Sequence, residues 1–210
     1  MATIMSIEYL ENLVKEAHQA GKSIEGSADA SELAHLASLA KTPNVSKVGE
    51  VGFIAGLSSY SFLEASPDVK VYSFDIGEYD YVTPAKQFID QTFPDRHVLT
   101  VGDSLETLPQ FYKDNPALNF DIIFVDGSHD YEVVKADLLN MRNFAHQDTV
   151  LVIDDLTPWK PWGVGPTKAW SEMIDKNIVR QDVLFRDGER VQSIEPPGER
   201  SWAVGAYIFE

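Results

Sequence analysis

Apolar positions along the chain change their period twice. Ile7, Leu10, Leu13, Val14 and Ala17 recur at helical spacing, and after a Gly/Ser break Leu33, Leu36, Ala37 and Ala40 do so again behind Asp29 or Ser31, either of which suits an N-cap. From residue 45 short apolar runs alternate with helical stretches. Strands are predicted near 45–51, 71–74, 98–101, 122–125 and 150–153, with helices from Ser58, Pro84, Leu105, about Tyr131 and about Pro166. Five βα units in succession imply a parallel sheet with helices on both faces. Thr83-Pro84 reads as a cap followed by a proline in the first helical position. The tail differs again: 183–185 and 202–209 are extended runs joined by the turn-rich stretch 187–200, which has no room for a helix of ordinary length. That pattern predicts a terminal hairpin placing one antiparallel strand in the sheet. The expected fold is α/β, a doubly wound seven-stranded sheet, mostly parallel, preceded by helices. Residues 1–210 are expected to form one unit, with 1–42 a helical cap and 43–210 the α/β core.

Composition narrows what such a fold could serve. With 210 residues, 44% of them hydrophobic, the chain can bury a substantial core. A formal charge of −16, from 17 basic against 33 acidic residues, argues against nucleic acid or an anionic membrane as partner. The absence of cysteine removes disulfides, thiolate metal sites and a cysteine nucleophile. No stretch approaches 18 apolar residues, and Glu stands near the N-terminus where a signal peptide would be basic and then apolar, so a soluble, cytoplasmic protein is expected. The sequence leaves self-association into a homo-oligomer open.

The candidate chemistry begins in VSKVGEVGFIAGLSSYSF, residues 45–62. An apolar strand ends in Gly49-Glu50-Val51-Gly52, passes Gly56, and enters a helix through Ser58-Ser59. Glycines let backbone approach a ligand, and a helix N-terminus with serines offers donors to an anion. The spacing Glu-x-Gly-x-x-x-Gly-x-Ser is neither a dinucleotide G-x-G-x-x-G nor a P-loop. Glu50 would repel a pyrophosphate, whereas a ligand with an ammonium and a carboxylate suits Glu50 together with Ser58. S-Adenosylmethionine is such a ligand.

In open α/β sheets ligands bind beyond the carboxyl ends of the strands. Those ends here carry Glu50, Asp75, Asp103, Asp126 and the pair Asp154-Asp155. Each alone reads equally well as a helix cap or turn former. Converging on one cleft, they cost stability unless donors or cations neutralise them. Asp75 sits where an acid accepts ribose hydroxyls, and Asp103-Ser104 where an adenine ring would rest. Asp126, Asp154 and Asp155 end neighbouring strands and form an all-oxygen set suited to a hard cation such as Mg2+, which keeps open positions for substrate oxygens. His129, three residues after Asp126, is a fourth ligand, a structural residue or a general base, and the base is favoured. His18 and His35 are given structural roles, and Asp130 and Asp137 are taken as surface acids.

Taken together, Glu50-x-Gly52-x-x-x-Gly56-x-Ser58, Gly102-Asp103-Ser104, Val125-Asp126-Gly127-Ser128-His129-Asp130-Tyr131 and Ile153-Asp154-Asp155 resemble class I S-adenosylmethionine-dependent methyltransferases with a Rossmann-like fold. The resemblance is specifically to the small metal-dependent O-methyltransferases similar to catechol O-methyltransferase. It implies that Gly52 and Ser58 hold the methionine end, Asp75 the ribose and Ser104 the adenine side, with Glu50, Gly56, Asp103 and Asp126 completing the cofactor site. It also implies that Asp126, Asp154 and Asp155 bind Mg2+. The catechol enzymes carry Lys three residues after the first metal ligand and Asn as the last; this chain has His129 and Asp155, as in macrolide sugar O-methyltransferases, where the histidine is the base. The acceptor implied is a small-molecule hydroxyl, on a sugar or other natural product. Trp159 and Trp162 follow the acid pair and either flank the acceptor or pack on a helix. Three alternatives stay open: a metal-independent methyltransferase, a nicotinamide-dependent dehydrogenase disfavoured by the missing G-x-G-x-x-G, and a non-catalytic ligand-binding module.

Overall fold

The computed structural model describes residues 6–21 and 29–209. Two helices come first, α1 (Glu8–Gln19) and α2 (Ala30–Ala40). Five βα units follow: β1 (Lys47–Val51) with α3 (Leu57–Ala65), β2 (Lys70–Asp75) with α4 (Val82–Thr92), β3 (His97–Val101) with α5 (Ser104–Asp114), β4 (Phe120–Val125) with α6 (Tyr131–Met141), and β5 (Ala145–Ile153) with α7 (Val164–Asp175). The chain closes with β6 (Val179–Arg186), β7 (Glu189–Val191) and β8 (Ser201–Tyr207).

All eight strands form one sheet in the order β3-β2-β1-β4-β5-β8-β6-β7. The first five pair in parallel, and β8 lies between β5 and β6, antiparallel to both. Seven strands were expected; the eighth is β7, paired antiparallel with β6. Its cause is local. Asp187 (φ 49) and Gly188 (φ 82) occupy the two turn positions between the paired residues Arg186 and Glu189, the left-handed geometry that Asp-Gly supplies in a two-residue hairpin.

Alternation in the central strands builds two cores. Ile123 and Val125 of β4, with Leu151 and Ile153 of β5, pack under α5, α6 and α7 among Leu108, Leu138, Met141 and Trp170. Ile122, Phe124 and Val152 point the other way, among Phe62, Leu63, Ile89 and Trp202, and Leu10, Leu36 and Ala40 join this second cluster from α1 and α2. Full burial on both faces is why these strands read as continuous apolar runs. Asp29 caps α2 as expected, accepting from the Ser31 amide at 2.8 Å and the Glu32 amide at 3.3 Å. Helix α4 begins ahead of Thr83-Pro84, at Val82. Pro84 is tolerated there because the first turn of a helix has no use for its N–H. Asp137 corrects another expectation, being fully buried on α6, whereas Asp130 is exposed and caps that helix.

The order of the sheet reverses between β1 and β4, and their carboxyl ends are held very close. The Asp126 amide donates to the Val51 carbonyl at 2.9 Å, and the Gly52 amide to the Phe74 carbonyl at 2.8 Å. A Cβ on Gly52, whose φ is +95°, would stand 1.9 Å from the Asp126 carbonyl oxygen. Gly52→Ala is therefore expected to destabilise the protein by at least about 3 kcal/mol, combining backbone strain with overpacking, as read by urea denaturation.

Candidate active site

The glycine loop is shaped by the carboxylate at the end of the next strand. Asp75 Oδ2 accepts from the amides of Phe53 at 2.9 Å and Ile54 at 2.7 Å, and Oδ1 from Gly77 at 2.7 Å. Ile54 (φ 50) and Gly56 (φ 74) take left-handed backbone on either side of Ala55, and Gly56 is the N-cap of α3. Asp75, assigned to ribose from the sequence, thus first of all holds the loop, with one lone pair left, on Oδ1.

Glu50 is completely buried. Ser58 donates to its Oε1, while Ser59 and Ser73 each donate to Oε2 at 2.5 Å. Burial raises the Glu50 pKa, the three hydroxyls pull it back, and the charge of Asp75 adds a smaller upward push. Any contact between Glu50 and a ligand therefore runs through Ser58, the half-exposed member of the set. Because its proton is committed to Glu50, Ser58 Oγ has only acceptor capacity left.

Along the same edge, Asp103 is exposed and caps α5, accepting from the Leu105 amide at 2.9 Å. Ile76 (64% exposed), Val101 (58%) and Leu105 (43%) leave apolar side chains in solvent beside it. Sequence reading looked for acids at strand ends and passed over these neighbours, whose apolar character next to the acids was the available signal. Ser104 lies inward, against Asp137.

A narrow crevice at the ends of β4 and β5 is lined by Asp126, Gly127, Ser128, Asp154, Asp155 and Pro166. Asp126, Asp154 and Asp155 each offer one oxygen, all within 4.8 Å of one another. Asp155 turns in by a left-handed backbone (φ 60), and its Oδ2 lies 2.9 Å from His129 Nε2. The loop carrying His129 is clamped from behind, since a Cβ on Gly165 would stand 2.1 Å from the His129 carbonyl oxygen. Asp154 is buried with Oδ1 lacking a hydrogen-bond partner. Burial, then the charge of Asp155, pushes Asp154 up to about 7. Burial, then Asp154 and Asp155, lifts Asp126 well above the usual carboxylate range.

Two further residues belong to this environment and were missed from the sequence. Glu32 of α2 is 2% exposed with Oε1 unpartnered, and burial followed by the charge of Asp154 drives its pKa well upward. Arg200, from the segment before β8, opposes these shifts at Glu32, Asp126 and Asp154. The helical spacing of Glu32 with buried Leu36 and Ala40 was the legible signal. A buried all-oxygen set with an unpartnered lone pair and too little positive charge fits a hard divalent cation.

The tryptophans separate in role. Trp159 donates its indole N–H to the Gly198 carbonyl at 2.9 Å, tying the loop after the acids to the segment before β8. Trp162 is 39% exposed, with Lys160 Nζ 5.6 Å from its ring centre.

Asp137 supplies a test of this electrostatic picture. Burial raises its pKa to about 7, the Ser104 hydroxyl acting against that. A carboxyl whose folded pKa is raised binds more protons in the folded than in the unfolded state, so its contribution falls as pH rises from about 4 to about 7. Asp137→Asn is expected to be more stable than wild type by a few kcal/mol, about 2–4, at pH 8, and the difference should shrink toward zero below pH 4. Chemical denaturation at several pH values checks this.

The sequence matches a methyltransferase-domain family over residues 50–156, half of the chain. No curated protein matches it significantly. Among solved structures, an O-methyltransferase from Bacillus cereus in complex with SAH is 17% identical with a TM-score of 0.73, over 99% of this chain and 94% of that one. TomG from Streptomyces achromogenes, an O-methyltransferase of tomaymycin synthesis in complex with SAM, is 18% identical with a TM-score of 0.72, over 95% of this chain and 89% of that one. CalS11, a TDP-rhamnose 3′-O-methyltransferase of calicheamicin biosynthesis, is 18% identical with a TM-score of 0.62, over 96% and 87%. At these identities the likeness establishes the fold. Among the described residues no helix is long and apolar enough to cross a membrane.

Proposed function

The chain belongs to the methyltransferase-domain family matched over residues 50–156, and we propose that it is an S-adenosylmethionine-dependent O-methyltransferase that uses a divalent cation such as Mg2+. The acceptor in this reading is a hydroxyl of a small molecule, a sugar or other natural product. The observation that carries it is the convergence of Asp126, Asp154 and Asp155 within 4.8 Å, with His129 bonded to Asp155 at 2.9 Å, at the carboxyl ends of β4 and β5 and beside the reversal of sheet order between β1 and β4.

The residues divide into two halves. On the β1–β3 side, the first-turn amides of α3 suit a carboxylate and Ser58 Oγ suits an ammonium. Asp75 is the acceptor for a ribose hydroxyl through Oδ1, Ile76, Val101 and Leu105 border the base with Asp103 at the rim, and Ser104 lies behind them against Asp137. On the β4–β5 side, Asp126, Asp154 and Asp155 would hold the cation. When bound, these groups supply an electrophilic sulfonium methyl and a Lewis acid that lowers the pKa of the acceptor hydroxyl. His129 takes the hydroxyl proton on its imidazole, and Asp155 both orients the ring and stabilises the charge it gains. The remaining contribution of the chain is alignment, worth up to roughly 7–11 kcal/mol when reacting atoms are held in near-attack geometry. The acceptor class is supported by the base, a histidine rather than the lysine of catechol-type enzymes, and by neighbours whose names place them in tomaymycin synthesis and calicheamicin biosynthesis. Trp162, exposed beside the acid loop, is the better placed tryptophan for an acceptor wall, because Trp159 is engaged by Gly198.

Titration calorimetry on chelator-stripped protein should give a cofactor heat and then a Mg2+ heat. In Asp154→Asn the Mg2+ affinity is expected to fall at least about 100-fold, beyond what loss of an outer-shell partner causes, while cofactor affinity holds. His129→Ala is expected to lower kcat by about 10²–10⁴-fold with cofactor binding intact. Undiminished turnover in that variant would remove His129 from the base role.

A further inference from the structure

Beneath the glycine loop lies a buried polar group that no step above uses. His97, the first residue of β3, is 6% exposed, and its ring stacks on Phe53 of the loop with centres 4.9 Å apart. Its Nε2 lies 2.9 Å from Ser73 Oγ and 3.5 Å from Ser59 Oγ.

Counting protons assigns the ring. A serine hydroxyl carries one proton, and those of Ser59 and Ser73 both go to Glu50 Oε2. The 3.1 Å contact between the two serine oxygens therefore contains no proton. Ser73 can face His97 only as an acceptor, so Nε2 carries the hydrogen and donates it. Nδ1, buried and without a partner, is the unprotonated nitrogen. Burial, then the charge of Lys86, lowers the His97 pKa to about 3, in keeping with a neutral ring. Donation runs one way, from His97 to Ser73 to Glu50.

We propose that His97 is a positioning residue for the cofactor: through Ser73 it holds Glu50 as an anion, and Glu50 in turn holds Ser58 as an acceptor for the ammonium of the methionine end. The proposal rests on the glycine loop being the cofactor site. It places selectivity for a cationic amine in a chain of neutral hydroxyls, with Glu50 wholly buried. Removing the first donor leaves Ser73 free to rotate, and the anion loses part of what offsets its desolvation.

Two measurements test it. Nitrogen-detected NMR of the wild-type imidazoles should show His97 neutral with the proton on Nε2; a ring protonated on Nδ1, or on both nitrogens, overturns the relay. Calorimetry should compare S-adenosylhomocysteine with 5′-methylthioadenosine, which lacks the ammonium and carboxylate. In His97→Phe, which keeps the stacking ring, the first ligand is expected to weaken about tenfold and the second to stay within about twofold. Ser73→Ala should show the same selectivity, and it carries the test if His97→Phe fails to fold. Equal losses for both ligands, or no loss, overturn the proposal. Wild-type protein that binds neither ligand instead overturns the cofactor reading on which it rests.

Discussion

Everything at the carboxyl edge of the sheet depends on how closely β1 and β4 approach where they diverge. The Asp126 amide is bonded to Val51, and Gly52 has no room for even a methyl against the Asp126 carbonyl. This contact joins two halves of different chemistry. On one side run the glycine loop, the start of α3 and the apolar rim of β2 and β3; on the other stand the three aspartates and His129. A side chain at position 52 would separate them, and alignment between the halves is the part of catalysis that a rigid fold can supply.

The second organising feature is an imbalance of charge. Glu32, Asp126, Asp154 and Asp155 come from three separate segments into one region, with Arg200 a cation whose field opposes the upward shifts of the first three. The segment that delivers Arg200 is itself fixed by the Trp159–Gly198 bond and by the hairpin tip at Gly188, which packs on Ser31 at the start of α2. Helix α2 and the antiparallel end of the sheet therefore meet over the acids. The terminal hairpin thus brings Arg200 into the field of these acids.

Much of this was legible in the residues. The strand ends carried the acids, and periodicity located the five βα units, because burial on both faces gives runs that alternate cleanly with amphipathic helices. Other features depend on tertiary partners that no local window contains. Asp137 sits with Val134, Leu138 and Met141 on one face of α6, so helical spacing marked it for burial even though its charge suggested surface. Glu32 has the same relation to Leu36 and Ala40. The eighth strand was written in Asp187-Gly188, a hairpin dipeptide inside a stretch read only as turns. His97 gave no signal at all, since its meaning lies in Ser59 and Ser73, which reach it from other elements.

Buried carboxylates in this protein differ in how far the fold answers them and in what stands beside them. Glu50 is fully buried and accepts from three hydroxyls, which offset part of the upward pull that burial exerts on its pKa. Asp154 and Glu32 are nearly as buried, but each keeps an oxygen without any partner, and their nearest electrostatic neighbours are other acids. Without a cation, such a group is driven toward its protonated form, which is the direction of both shifts. Asp137 is as buried and has no hydrogen-bond partner on either oxygen, but it lies on α6 outside the acid cluster, whereas Asp154 and Glu32 lie in one another's field beside Asp126 and Asp155. Leaving the lone pairs of Asp154 unanswered beside Asp126 and Asp155 costs stability that a bound divalent cation would return.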